Sequence, residues 1–237
     1  MFYIESKITI HLKADIPFVH ANETLTKNIS MVMLNHPYLK SIHGQAGGFK
    51  PYVFSLPYPP EVKTKIYEKG KVYLFTLRSI DEKFSDALMK ELQAHRGLDF
   101  TVLSVQKRKV KPFFIDTLHT ISPTVLTHKT EKGKNIHWRL DDGDIMMVKE
   151  RIIANLEKKY KFFYGEQLTA PEAITYFEIL NKVPYPIKYK GKTFQSNKFR
   201  LGFDSDEVSQ KLAFMAMSLG ILEKNALGFG FCVKGRT

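Results

Sequence analysis

The fold is predicted outward from one stretch near the start of the chain, Phe2-Tyr3-Ile4-Glu5-Ser6-Lys7-Ile8-Thr9-Ile10-His11-Leu12. Its apolar side chains share one face, and these are Phe2, Ile4, Ile8, Ile10 and Leu12. The polar side chains between and after them share the other, and these are Glu5, Lys7, Thr9, His11 and Lys13. A period of two over a dozen residues predicts a half-buried β-strand.

The rest of the first half predicts the helices and strands that complete a known fold around this strand. Asn22 or Thr24 is suited to cap a helix that runs to about Leu34, and residues 35–48, with one proline and three glycines, predict a loop. The remaining elements are strands over 50–57 and 71–80, a helix over 82–95 and a strand over 99–110. Strand, helix, two strands, helix and strand is the ferredoxin-like order βαββαβ.

The second half repeats this order less cleanly. We expect an extended segment over 113–126, a short strand over 138–140, a helix from about Asp144 and an irregular segment over 164–186. Within that segment, Ala170-Pro171-Glu172 suits the start of a short helix. Strands over 187–194 and 198–203, a helix over 206–219 and a strand over 227–234 follow. The predicted fold class is α+β, with tandem ferredoxin-like units over 1–111 and 112–237.

Charge is the most unusual feature of the composition. The 237 residues include 36 Lys and Arg against 24 Asp and Glu, a net charge of +12. This surplus indicates a polyanionic partner, with nucleic acid first and an anionic membrane second. A single cysteine excludes a disulfide framework and a cysteine-based zinc site. We find no signal peptide pattern and no apolar run of 18 residues, and therefore expect a cytoplasmic protein.

A segment after the first predicted helix holds side chains suited to catalysis. It contains His36, Tyr38 and His43, and Lys50 and Tyr52 follow closely. Histidine titrates near neutral pH and serves as general acid or base, while lysine stabilises charge on a phosphate oxygen. A single exposed loop histidine is more often without function, and it is the clustering with Lys50 that makes this segment a candidate site.

Two further segments invite a functional interpretation. Residues 220–233 include Gly228-Phe229-Gly230-Phe231, which match neither a phosphate-binding P-loop nor a Rossmann motif. They partly match the RNP1 segment of an RNA-recognition motif, but RNP1 lies on a third strand with a helix and a strand still to follow. The alternative is that the glycines allow close backbone packing. Lys107-Arg108-Lys109-Val110-Lys111 is either a phosphate contact or a solvated strand end.

Metal binding is not predicted. Asp141-Asp142-Asp144 precedes a helix, where aspartates act as caps. The other histidines show no metal-ligand spacing and are structural by default: His11, His20, His95, His119, His128 and His137.

The closing segment resembles the CRISPR repeat-processing endoribonucleases of the RAMP superfamily. The resemblance rests on Lys188-Tyr189-Lys190-Gly191-Lys192, Asp204-Ser205-Asp206-Glu207, Gly220 and Leu227-Gly228-Phe229-Gly230-Phe231. The family motif has a further glycine where this chain has Leu222. In the first unit, His43, Lys50 and Tyr52-Val53-Phe54-Ser55 match the family's histidine loop and following strand.

This resemblance implies a reaction and its residues. Family members cut CRISPR precursor RNA without metal or other cofactor, by attack of a 2′-hydroxyl that leaves a 2′,3′-cyclic phosphate. By resemblance, His43 is the principal acid or base and Lys50 the stabilising cation. His36 is the candidate for a second proton-transfer group, with Tyr38 behind it.

The implied partner is CRISPR repeat RNA, with subunits of a CRISPR effector complex as further candidates, and either a monomer or a homodimer is expected. The candidate RNA contacts are Lys107, Arg108, Lys109, Lys111, Lys188, Lys190, Lys192, Lys198, Gly228 and Gly230. Two alternatives stay open: an RNA-binding RAMP subunit without nuclease activity, and an unrelated ferredoxin-like protein.

Overall fold

A computed structural model describes residues 1–129, 133–140 and 144–235. The elements up to Val110 are β1 (Tyr3–Leu12), β2 (Ile16–Pro17), α1 (Ala21–Leu34), α2 (Pro37–Gly44), β3 (Tyr52–Phe54), β4 (Ile66–Tyr67), β5 (Val72–Ser79), α3 (Glu82–Ala94) and β6 (Phe100–Val110). The elements after it are β7 (Thr117–Thr120), β8 (Thr127–Lys129), β9 (Asn135–His137), α4 (Ile145–Tyr164), β10 (Ile174–Ile179), β11 (Tyr185–Tyr189), β12 (Lys192–Ser196), β13 (Phe199–Phe203), α5 (Glu207–Leu219) and β14 (Cys232–Lys234).

The alternating first strand lies inside the first sheet. The strand order is β3-β5-β1-β6, and β1 runs antiparallel to both of its neighbours, with Ile8 opposite Phe75 and Val105. Ile8, Ile10 and Leu12 of β1 are fully buried in one core with side chains of α1 and α3. The predicted βαββαβ order of the first half is therefore confirmed.

The second sheet has the same topology. Its order is β10-β13-β7-β14, which is the second, third, first and fourth strand of its unit, as β3-β5-β1-β6 is in the first sheet. Helices α4 and α5 cover one face and form a second core around Leu156 and Leu212. Strands β11 and β12 lie between β10 and β13 in the sequence and form a separate hairpin. The α+β fold class with tandem ferredoxin-like units is confirmed.

Two predictions for the first half were wrong. Residues 37–44, predicted as loop, form α2, because Pro37 stands in the first turn where its missing N–H is not needed. Helix α1 begins at Ala21, before either predicted cap, and its N-cap residue is His20 without a side-chain cap bond. The Asn22 side chain instead donates to the backbone oxygen of Leu227, 2.9 Å away.

The second half differs from prediction in its connecting segments. No helix begins at Ala170-Pro171-Glu172, which forms a turn closed by a hydrogen bond from Ala173 N to Ala170 O, and residues 174–179 form β10 instead. Asp144 caps α4 as predicted, whereas Asp141 and Asp142 lie outside the described residues. The last strand is shorter than predicted, since residues 225–227 form a 3-10 turn.

Arg78 joins the two sheets. Its buried guanidinium donates to the Glu5 carboxylate at 2.9 Å, to Met217 O at 2.8 Å and to Cys232 O at 2.7 Å. It also lies over the ring of Phe231, 4.3 Å from the centroid. A buried arginine with an acceptor on each side fixes one relative position of the two units. The described part of the chain contains no helix able to span a membrane.

Candidate functional site

A groove of about 630 Å³ lies between α1 and the tip of the β11–β12 hairpin. Its walls come from distant parts of the sequence: Glu23, Thr26, Lys27, Ser30, Met31, Met33, Leu34, His43, Lys50, Tyr52, Tyr189, Lys190, Ala226 and Leu227. The groove brings together His43, Lys50 and Lys190 among the predicted site residues. His36 and Tyr38 do not line it.

His43 reaches the groove from the last turn of α2. Its side chain is half-buried, and α2 ends one residue later at Gly44. The second unit contributes Tyr189 and Lys190, from the hairpin tip, to the lining of the same groove. Imidazole is the side chain that most often serves as general acid or base in catalysis.

Lys50 closes the carboxyl end of α2. Its ammonium donates to the backbone oxygens of Ile42, of His43 at 3.1 Å and of Gln45 at 2.9 Å. An ammonium has three N–H donors, so these carbonyls occupy all of them. Burial lowers the pKa of Lys50. In this arrangement Lys50 holds the helix end that carries His43 and does not offer an N–H to a ligand.

Tyr38 and His36 lie elsewhere. The Tyr38 hydroxyl donates to the Asp81 carboxylate, and burial together with this bond raises the pKa of Tyr38 to about 12. Tyr38 lines a separate hollow beside Phe49 and Phe162. His36 occupies the N-cap position of α2, and its Nδ1 is buried without a partner among the described residues.

Tyr189 is a groove residue that sequence reasoning missed. Its position within Lys188-Tyr189-Lys190, in the segment that carries the family resemblance, is the signal that could have identified it. The hairpin tip is a two-residue turn in which Lys190 and Gly191 have φ of 48° and 73°. The turn is tied to α1, because Lys190 N donates to the Glu23 carboxylate at 2.9 Å.

Ala226 and Leu227 of the Gly-rich segment line the groove, whereas its glycines do not. Gly228 and Gly230 are buried, with φ of 82° and 69°. A Cβ at Gly228 would stand 2.5 Å from the ring of Phe54, and one at Gly230 would stand 2.2 Å from Ile221 O. Close backbone packing therefore requires glycine at both positions, while contact of this segment with RNA stays a prediction.

A buried lysine organises this segment. Lys159 of α4 is 1% exposed, and its ammonium donates to Gly220 O and Asn225 Oδ1, both at 2.7 Å. The Asn225 amide in turn donates to Ile221 O at 2.9 Å and Phe229 O at 3.0 Å. Burial lowers the pKa of Lys159 to about 7.

The predicted RNA contacts divide into two groups. Lys107, Arg108 and Lys109 lie on β6 and are paired with Asp86, Glu5 and Glu82 respectively, while Lys111 is exposed beyond the strand. Ion pairing with acidic side chains of the same unit favours the interpretation of residues 107–111 as a solvated strand end over that of a phosphate contact.

Lys188, Lys190 and Lys192 are exposed on the hairpin that walls the groove. Lys198 is half-buried beside the ring of Tyr185, and burial lowers its pKa. Of these four lysines, Lys190 is the one that lines the groove, where Lys27 of α1 and Lys50 also lie. Within the described ranges, no group of three or more His, Cys, Asp or Glu side chains is arranged to hold a metal ion.

Comparison with known proteins assigns the family. Residues 105–233 match the model of the family "CRISPR associated protein Cas6, C-terminal". The chain is 26% identical over 240 residues to the CRISPR-associated endoribonuclease Cas6 2 of Methanocaldococcus jannaschii, covering 95% of this chain and 97% of that protein.

Solved structures share the fold. A Cas6-related protein from Pyrococcus furiosus superimposes with a TM-score of 0.72 at 20% identity, covering 98% of this chain and 97% of that one. A RAMP protein described as binding different RNA substrates gives a TM-score of 0.72 at 18% identity, covering 98% and 100%. Because the family model spans more than half of the sequence, the chain belongs to the CRISPR-associated protein Cas6 family.

Proposed function

We propose that this chain is an endoribonuclease that binds CRISPR precursor RNA and cuts it within the repeats, without a metal ion. The observation that carries the proposal is the groove that joins the half-buried His43 to the cationic hairpin tip. The relative from M. jannaschii is named an endoribonuclease and is matched over nearly its whole length, which supports the same activity here.

The proposed reaction is an internal transesterification. The 2′-hydroxyl next to the scissile bond attacks the phosphorus, the bond to the 5′-oxygen breaks, and a 2′,3′-cyclic phosphate and a 5′-hydroxyl result. His43 accepts the 2′-hydroxyl proton as general base. Lys190 is exposed at the groove, and its ammonium is the side chain suited to stabilise the growing negative charge on the phosphate oxygens.

Lys50 takes a different part in this proposal from the one that the resemblance implied. Its three donors are occupied by carbonyls at the end of α2, so it acts by positioning His43. Short-range positioning of this kind matters because a displacement of about 1 Å in a catalytic group lowers a rate by roughly 10²-fold.

A cleavage assay with repeat RNA in excess EDTA tests the proposal. Wild-type protein should cut the repeat in EDTA, and His43→Ala should cut about 10²–10⁴-fold more slowly. His11→Ala is the matched control, because His11 lies on β1 and does not line the groove. Cleavage by His43→Ala at the wild-type rate would refute the assignment of His43.

Replacing the 2′-hydroxyl at the scissile position by hydrogen tests the chemistry itself. Attack by that hydroxyl requires that the deoxy substrate stays intact, so persistent product would exclude transesterification.

A second candidate is an RNA-binding RAMP subunit without nuclease activity. The occupied donors of Lys50 favour it, because the cation expected beside the scissile phosphate is not free. Wild-type protein that binds the repeat RNA and leaves it intact would establish this alternative.

A further inference from the structure

Three tyrosines lie on α2 or in the groove wall, and their hydroxyl groups differ in what they contact. The Tyr38 hydroxyl donates to the Asp81 carboxylate. The Tyr52 hydroxyl points to Met33 Sδ at 3.8 Å and belongs to a side chain that is 4% exposed. The Tyr189 hydroxyl makes no hydrogen bond to any residue in the described part of the chain, and Tyr189 is half-buried in the groove wall. Tyr189 is therefore the tyrosine whose hydroxyl is available to a ligand beside His43.

The backbone that carries Tyr189 is well fixed. Tyr189 is the last residue of β11 and pairs with Lys192 across the turn. Ile187, two residues earlier, is fully buried, and the bond from Lys190 N to Glu23 ties the next residue to α1. A side chain on a paired strand end is held more precisely than one on a free loop, as proton transfer to a bound substrate requires.

We propose that Tyr189, contributed by the second unit, is the general acid of the cleavage reaction and donates its hydroxyl proton to the leaving 5′-oxygen. This inference rests on the proposed function above and names a catalytic residue for it. The geometry assigns to Tyr189 the proton-transfer role that the family resemblance implied for His36 and Tyr38.

The proton balance is complete with these two groups. His43 takes one proton from the 2′-hydroxyl as the new P–O2′ bond forms. Tyr189 gives one proton to the 5′-oxygen as the P–O5′ bond breaks. After the products leave, the imidazolium and the phenolate return to their starting forms by proton exchange through water, and no other reactant is needed.

The surroundings of Tyr189 suit an acid more than a base. Burial, with a smaller effect of the Glu23 carboxylate, raises the pKa of Tyr189 above its ordinary value. The hydroxyl is thus protonated at neutral pH when the substrate binds. The ammonium of Lys190 lies 5.9 Å from the centre of the Tyr189 ring, close enough to favour the phenolate as it forms.

The test compares two leaving groups. One substrate is the repeat RNA, and the other carries sulfur in place of the bridging 5′-oxygen at the scissile bond. A thiolate leaves without protonation, since thiols ionise near pH 8.5. Tyr189→Phe should cut the oxygen substrate about 10²–10⁴-fold more slowly than wild type, and it should cut the sulfur substrate at close to the wild-type rate. His43→Ala should be slow on both.

Tyr185→Phe is the matched control, because Tyr185 lies on the same strand and does not line the groove. It should cut both substrates as wild type does. The ring contact of Tyr189 with Phe194, at 6.4 Å between centroids, is retained in Tyr189→Phe, so an unchanged unfolding midpoint should accompany the loss of rate.

The outcomes separate this inference from the proposed function. If wild type leaves the repeat intact, both are refuted. If wild type cuts, His43→Ala is inactive and Tyr189→Phe cuts the oxygen substrate normally, only the role of Tyr189 is refuted. Equal slowing of Tyr189→Phe on the two substrates would show that the hydroxyl positions the RNA and does not donate the proton, which also overturns the inference.

Discussion

Replacing Lys159 by methionine should make the stability of this protein less dependent on pH. The Lys159 ammonium is buried, and burial lowers its pKa from 10.5 in the unfolded chain to about 7. Between these values the unfolded state binds a proton that the folded state does not, so stability rises with pH. The stability gained through deprotonation of Lys159 is complete above pH 10.5 and is lost as the pH falls to 7. Methionine does not titrate and removes this dependence.

The size of the effect follows from the two pKa values. Each pKa unit corresponds to about 1.4 kcal/mol, and from pH 6 to pH 9 the wild type should gain about 2–3 kcal/mol relative to Lys159→Met. At pH 9 the variant should be the less stable protein, because it leaves Gly220 O and Asn225 Oδ1 without their donor. A buried acceptor without a donor costs about 1–3 kcal/mol.

Urea unfolding at pH 6, 7, 8 and 9 measures this difference. Lys158→Met is the control, since Lys158 is the adjacent and exposed lysine of α4, and its difference from wild type should not change with pH. A Lys159→Met difference that stays constant from pH 6 to pH 9 would refute the reasoning, because it would mean that Lys159 titrates alike in the folded and unfolded states.

Two further substitutions test the packing that supports the groove. Gly228→Ala should destabilise the protein by about 1–3 kcal/mol more than Gly70→Ala in urea unfolding, since both glycines have positive φ but only at Gly228 would a Cβ meet Phe54 at 2.5 Å. Equal effects would show that backbone strain alone is responsible. Arg78→Met should lower the free energy of unfolding by about 1–3 kcal/mol, because it leaves Met217 O and Cys232 O without their donor, while the Glu5 carboxylate keeps Arg108 as its partner. A loss below about 1 kcal/mol would show that the bonds from Arg78 to Met217 O and Cys232 O do not hold the two units together.

The fold was predictable where the hydrophobic period was long. Strand β1 alternates in burial from Ser6 to Leu12, and α3 and α5 show helical spacing with an aspartate at each N-cap, so their types and approximate limits were predicted. Helix α2 was missed because Pro37 and Gly44 are frequent in loops, although they also suit the first and last positions of a short helix. Strand β10 was missed because most of its side chains are only partly buried, which weakens the alternation.

The candidate site was predictable only in part, because side-chain partners do not follow from sequence distance. His43 and Lys50 were identified, but the three carbonyls that occupy Lys50 depend on the helical conformation of α2. Lys107 and Lys109 form a basic run in sequence, yet acidic side chains of α3 pair with them in space. Tyr189 lines the groove because the second unit docks against the first, and no local sequence pattern predicts that docking.

The origin of the groove walls has a thermodynamic consequence. One wall belongs to α1 of the first sheet's unit and the other to a hairpin of the second, and they meet through the bond between Glu23 and Lys190. A ligand that touches both walls binds only the docked arrangement, so by mass action it stabilises that arrangement against separation. At a ligand concentration 100 times its Kd, the gain is about 2.7 kcal/mol. Occupancy of the groove and cohesion of the two halves are thus one linked equilibrium.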